Sequence, residues 1–250
     1  MALLKLSHLK NKYNLTISKI AHVGAHKGQE VEEYLTVFPN VKINLFEPQT
    51  NLFNYLKEKF DNKNNITLYN FALGSINDSS NMFISDNEGQ SSSFFKPKLH
   101  LVEHPEVKFH EGNTSFQIKV LDELEINNID FLHIDTQGFE MEVLKGSSKI
   151  LREDVKYIIL EINKKELYEG CPLVKDIDNF LKTYGFIRTD THYWKDSSSW
   201  GDAFYIKRDL ISSKRLIFSV FKNKLYSIEP LYRPLIFIRN IIWKIRNKTS

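Results

Sequence analysis

Two segments near the start of the chain restrict its fold more than any other feature. Ala21-His22-Val23-Gly24-Ala25-His26-Lys27-Gly28 reads as the end of a strand, a glycine turn and the start of a helix. Leu45-Phe46-Glu47-Pro48 reads as the end of the next strand, closing on an acid nineteen residues after Gly28. Together they form the opening unit of a parallel α/β sheet. In such a unit the turn lets backbone approach a nucleoside, and the carboxylate accepts from its ribose hydroxyls.

Hydrophobic periodicity extends this pattern. Val31, Tyr34, Leu35 and Phe38 recur at helical spacing after Gly28, as do Leu52, Tyr55, Leu56 and Phe60 after Pro48. Each stripe is one apolar face to lay on a sheet. Residues 17–24, 41–47 and 66–73 read as the strands between them. Residues 129–135 and 157–162 are two more apolar strands. Helical spacing follows over 139–151 and over Val174, Ile177, Phe180, Leu181 and Tyr184, stopped by Gly185. Residues 186–191 and 202–207 close the chain pattern as an antiparallel hairpin. The expectation is a Rossmann-like, seven-stranded, mostly parallel sheet with helices on both faces and an antiparallel C-terminal hairpin. That is the architecture of class I S-adenosylmethionine (SAM) methyltransferases, whereas a dinucleotide domain would continue with parallel βα units.

Between the two halves, residues 75–112 are rich in Ser, Asn, Gly and His and hold one short strand candidate, 81–85. A long irregular stretch inside a domain is usually functional or disordered rather than filler; an inserted lid loop is expected, followed by an alternating strand over 114–120. The chain thus divides into an N-terminal extension (1–16), the α/β domain (17–208) and a tail (209–250). Charge separates the last two. Residues 212–250 hold nine Lys or Arg and one acid, Glu229, against 25 bases and 30 acids in the rest. The tail also carries Leu216, Ile217, Val220, Phe221, Ile238, Ile241, Ile242 and Trp243. It reads either as an interfacial segment meeting an anionic membrane surface or as a helix packed on the domain or within a homo-oligomer; a nucleic-acid arm is not indicated. The lone cysteine, Cys171, excludes an internal disulfide. No uncharged run reaches the ~20 residues of a spanning helix. A cytoplasmic protein is expected, peripheral at the inner leaflet where the tail binds it.

The candidate chemistry lies at strand ends. The turn holds Gly24 and Gly28 without the third glycine of the dinucleotide fingerprint. A pyrophosphate needs close backbone approach and a helix N-terminus; a sulfonium amino acid needs neither, so this turn suits SAM better than NAD. Glu47 would hold the ribose diol, and Asn70 and Ala72 would border the adenine. Asp135 and Glu161 end adjacent strands and would meet at one rim. A carboxylate pair there can hold a substrate hydroxyl, take its proton or hold a metal. His133 shares a strand face with Asp135 and is either a second candidate base or a histidine packed under the site. His100, His104 and His110 match no zinc spacing, and no metal is assigned.

These stretches are similar to the FkbM-type SAM-dependent methyltransferase family. The similarity runs through residues 22–28, Phe46-Glu47-Pro48, Phe71-Ala72-Leu73-Gly74 and Val120-Leu121-Asp122-Glu123-Leu124. It continues in His133-Ile134-Asp135-Thr136-Gln137-Gly138-Phe139-Glu140 and Val143-Leu144-Lys145-Gly146. The family commonly has Asp at the place of His22, Asn at His26, Lys at His133 and Glu at Gln137. The resemblance implies SAM as cofactor, with His22 and Asp135 among its contacts, and O-methyl transfer to a hydroxyl. The acceptor expected is a sugar of a surface glycan or its precursor. An NAD(P)-dependent oxidoreductase and a noncatalytic SAM- or glycan-binding domain are the alternatives.

Overall fold

The structure, a computed structural model, describes residues 4–194 and 199–212. The basic tail lies outside them from residue 213 onward, and with it the membrane and oligomer readings. Among the described residues no helix is long and apolar enough to cross a membrane.

Seven strands make the main sheet: β1 (Lys19–Val23), β2 (Lys42–Phe46), β3 (Ile66–Tyr69), β7 (Phe131–Ile134), β8 (Tyr157–Asn163), β9 (Phe186–Tyr193) and β10 (Trp200–Lys207). Three more form a second sheet: β4 (Ala72–Leu73), β5 (Asp78–Ser85) and β6 (Phe109–Lys119). Among the described residues the α-helices are α1 (Leu6–Tyr13), α2 (Val31–Val37), α3 (Thr50–Phe60), α4 (His100–Glu103), α5 (Glu140–Lys145), α6 (Ser148–Glu153) and α7 (Val174–Thr183).

The main sheet runs β3-β2-β1-β7-β8-β10-β9. Its first five strands are parallel, and β10 is antiparallel to both neighbours. All of β7 and β8 is buried, as expected of central parallel strands covered on both faces. Side-chain alternation divides the core. Ile20, Phe131, Ile159 and Phe204 face α1, α2 and α3 through Leu9, Tyr34 and Phe60. Ala21, Leu132, Ile158 and Ala203 face α5, α6 and α7 through Val143, Leu151 and Leu181. The strand order reverses between β1 and β7, so a crevice opens beyond their carboxyl ends.

Four expectations change in detail. The strand expected over 66–73 breaks at Asn70, whose side-chain amide donates to the carbonyls of Glu47 and Pro48 at 2.9 and 3.0 Å. The chain then leaves the main sheet, and β4 pairs with β6. The helix expected over 139–151 is two helices. Gly146 lies so close to Gly74 that a Cβ there would sit 1.9 Å from the Gly74 carbonyl oxygen. The Asp122 carboxylate accepts from the N–H groups of Lys149 and Ile150 at 2.6 and 3.1 Å, which starts α6 afresh. The segment expected as an irregular lid is partly folded: β5 and β6 pair antiparallel across it. The first residues, expected as an extension, place Leu6, Leu9 and Tyr13 in the core.

Candidate active site

The turn after β1 sets the site. Gly24 has φ +80°, and a Cβ on it would lie 1.9 Å from the Asp135 carbonyl oxygen. Only glycine lets the two central strand ends approach this closely. His26 also takes a left-handed conformation, φ +46°. Its N–H thereby donates to Glu47 Oε2 at 2.9 Å, while the Gln49 N–H donates to Glu47 Oε1 at 2.9 Å. Glu47 is 3% exposed, and burial pushes its carboxyl up to about 7 against those two N–H donors. Each oxygen keeps acceptor capacity beyond its one backbone partner.

A cleft opens above this carboxylate, enclosing about 520 Å³ with the open solvent at its mouth, within the usual size of a ligand site. Phe46, Ala72, Leu73, Met82 and Phe139 supply apolar walls. The inserted segment closes one side through Gly89, Gln90, Ser92 and Phe94. It is pinned there by the Gln49 amide on the Gly89 carbonyl at 3.2 Å and by an ion pair between Lys27 and Glu88. The turn after β7 forms the remaining side. Gln137 is left-handed, φ +52°, and buried Glu140 stabilises the turn by accepting from the Thr136 N–H, Thr136 Oγ1 and the Gly138 N–H at 3.0–3.1 Å.

Asp135 and Glu161 meet at the rim as expected, joined by a residue the spacing argument passed over. Gln137 Nε2 donates to Asp135 Oδ1 at 2.8 Å and to Glu161 Oε2 at 3.0 Å. Tyr168 holds the same amide by donating to Gln137 Oε1 at 2.9 Å. Asp135 is half-buried, whereas Glu161 is 6% exposed. Burial, reinforced by Asp135, pushes the Glu161 carboxyl well above the usual range. Two adjacent carboxyls with unlike surroundings suit unlike roles. Glu161 Oε1 has no hydrogen-bond partner.

Four other candidates are placed elsewhere. His22 and His133 are paired in register on β1 and β7, on the face turned toward α2. Their rings stack at 4.4 Å and 5°, and both nitrogens Nδ1 meet the Tyr34 hydroxyl, His22 at 3.3 Å and His133 closer. Burial pushes His22 down to about 4 and His133 to about 3. They form a neutral floor beneath the site and do not line the cleft. Position 133 is thus the packed histidine of the two readings. Gly28 faces Phe60 and Leu56 of α3: its missing Cβ serves helix packing. Asn70 spends its amide on the turn described above. Ala72 does line the cleft, as do Gly24, Glu47 and Asp135. His26, Gln49, Gln137 and Phe139 line it too; for His26 and Gln137 the unusual backbone is invisible in a residue pattern.

The floor makes one stability prediction. Tyr34→Phe leaves a buried imidazole nitrogen without its partner, and the fold should lose about 1–3 kcal/mol, read by urea unfolding at neutral pH. An unchanged midpoint would mean that the hydroxyl contributes nothing there.

A model of the methyltransferase FkbM domain matches residues 22–188 of this chain. The chain is 26% identical over 178 residues to the 2-O-methyltransferase NoeI of Sinorhizobium fredii (strain NBRC 101917 / NGR234), covering 67% of this chain and 72% of that protein. Among solved structures it is similar to the methyltransferase FkbM from Methylobacillus flagellatus KT, with TM-score 0.52 and 13% identity. That match covers 76% of this chain and 43% of the other, so the chain spans less than half that structure's length. It is also similar to the Methanococcus jannaschii fibrillarin pre-rRNA processing protein, with TM-score 0.46 and 12% identity over 76% of this chain and 66% of that one.

Proposed function

The chain belongs to the FkbM methyltransferase family; it is a SAM-dependent methyltransferase, and we propose that it methylates a hydroxyl oxygen on a sugar of a surface glycan or glycan precursor. The observation that carries this reading is the pairing of Asp135 with Glu161 through Gln137, at the edge of the cleft that holds Glu47. The printed activity of the Sinorhizobium relative, 2-O-methyl transfer, supports oxygen as the accepting atom. Family membership removes the dinucleotide oxidoreductase alternative.

The residues present fit the cofactor. The turn at Gly24 leaves no room for a side chain, Glu47 has acceptor capacity for a ribose diol, and the neighbouring walls are apolar as an adenine requires. SAM supplies a methyl group on a positively charged sulfur, an electrophile that already carries its leaving group. The protein's task is therefore alignment and proton removal. Gly24 and Glu47 would hold the cofactor, with Ala72 on the apolar wall that suits its adenine. Asp135 accepts the hydroxyl proton as the oxygen gains its methyl group. Glu161, whose Oε1 has no hydrogen-bond partner, would hold a neighbouring hydroxyl of the acceptor. Gln137 keeps the two carboxyls apart and oriented.

The test is transfer from methyl-tritiated SAM into a bacterial glycan and glycolipid extract. The label should survive alkali and appear, after acid hydrolysis, in O-methyl sugars. Alkali-labile label, or label on nitrogen, overturns the reading.

A further inference from the structure

One face of the last three strands of the fold carries, beside Glu161, side chains that the transfer chemistry leaves unused. Register sets Glu161 of β8 opposite Asp202 of β10, and Asp202 opposite His192 of β9. One step nearer the rim, Asn163 faces Trp200. Trp194 follows, its backbone N–H donating to the Trp200 carbonyl at 3.3 Å. The two indoles stack at 5.6 Å and 10°. Directly opposed residues share a face, so these two rows form one patch that continues the Asp135 and Glu161 rim.

The patch has two marks of a binding site. Asn163 is 1% exposed, yet neither Oδ1 nor Nδ2 has a partner, and Glu161 Oε1 beside it has none either. Unmatched buried polar atoms are costly and call for a reason. Trp194, by contrast, is 51% exposed, an open aromatic surface backed by Trp200, which itself packs against Leu167, Tyr168 and Cys171. A pyranose answers both features. Its C–H face covers an indole, and its hydroxyls can donate to and accept from an amide and a carboxyl. From β7 to β10 is two strand spacings, about 10 Å, wider than one ring.

We propose that Asn163, Glu161, Trp194 and Trp200 form a second sugar subsite, seating the ring next to the one methylated at Asp135. The acceptor is then an oligosaccharide or glycoconjugate of at least two rings. This rests on the sugar O-methylation reading above and adds to it the size of the acceptor.

The test is retention of the protein, saturated with S-adenosylhomocysteine, on an array of oligosaccharides and their component monosaccharides. Calorimetry with S-adenosylhomocysteine runs alongside. Oligosaccharides should be retained and their monosaccharides not. Trp194→Ala and Asn163→Leu should each weaken retention at least about tenfold, or ~1.4 kcal/mol, with S-adenosylhomocysteine affinity unchanged. Asn163→Leu should also raise Tm, because it removes two unmatched polar atoms. Equal retention of monosaccharides, unaffected variants or no retained glycan overturns the subsite. Should Asn163→Leu fail to fold, the exposed Trp194→Ala decides. Tritium transfer into a monosaccharide sinks the subsite while leaving sugar methylation standing; transfer only into a non-sugar acceptor sinks both.

Discussion

Glu47→Ala should lower the affinity for S-adenosylhomocysteine by about 100-fold or more. Two hydrogen bonds from a ribose diol to one carboxylate, each about 1.5–3 kcal/mol as charged bonds, total about 3 kcal/mol at the low end, and 1.4 kcal/mol is tenfold. The carboxylate also anchors the N–H groups of His26 and Gln49, so its loss loosens both walls of the turn. Glu47→Gln should do little better. Its amide nitrogen must replace one of two oxygens that each already accept from backbone, and a donor would then face a donor. Calorimetry reads both variants, and affinity equal to the unaltered protein would end the ribose assignment.

The same carboxyl predicts a pH dependence of binding. Burial holds it at about 7 in the ligand-free protein, and ribose hydroxyls donate best to its ionised form. Below that value binding must first remove a proton. Affinity should therefore fall by up to ~tenfold per pH unit on acidification below about 7, with proton release on binding. The stability term has the opposite sign. Between the ordinary carboxylate value and about 7 the folded state keeps a proton that the unfolded chain has lost, so this group alone makes the fold less stable as pH rises through that window. A binding profile flat from pH 5.5 to 7.5 would contradict the assignment.

Asp135→Asn should lower kcat by about 100- to 10,000-fold, the usual worth of a positioned base, while leaving S-adenosylhomocysteine affinity nearly unchanged. Asparagine preserves shape and can still accept from Gln137 through its oxygen, but it cannot take a proton. A parallel loss in cofactor affinity would move Asp135 from the acceptor to the cofactor. Neutral His133 beneath it cannot substitute, since it is sealed against His22 and Tyr34. Rescue of the variant at high pH would instead mean that the acceptor ionises without help from this residue.

Much of this site is legible from residue order because its parts sit at strand ends. Gly24, Glu47, Asp135 and Glu161 each follow an apolar run, and in a parallel sheet such positions face the crevice. His133 and His22 are less legible. Alternation puts them on one face, but whether that face is cleft or core depends on α2, whose Tyr34 covers them. Gln137 was legible only as a family difference; that its amide bridges two carboxyls follows from a left-handed backbone conformation that residue identity does not announce. The inserted segment reads as irregular because only Met82 and Ser85 of β5 are buried, which leaves no apolar face to alternate. Its pairing with β6 satisfies backbone groups rather than burying side chains.

Hydrophobic periodicity by itself determined the α/β class, the main strands, the antiparallel closing hairpin and the carboxylates at the strand ends, because burial and alternation are local properties that act within a few residues. Tertiary structure alone decided which histidines are sealed, where the inserted segment docks, how one amide joins Asp135 to Glu161, and that Asn163 lies buried opposite Trp200. These depend on strand order and register, which bring together residues far apart in the chain and are set by the packing of the whole sheet.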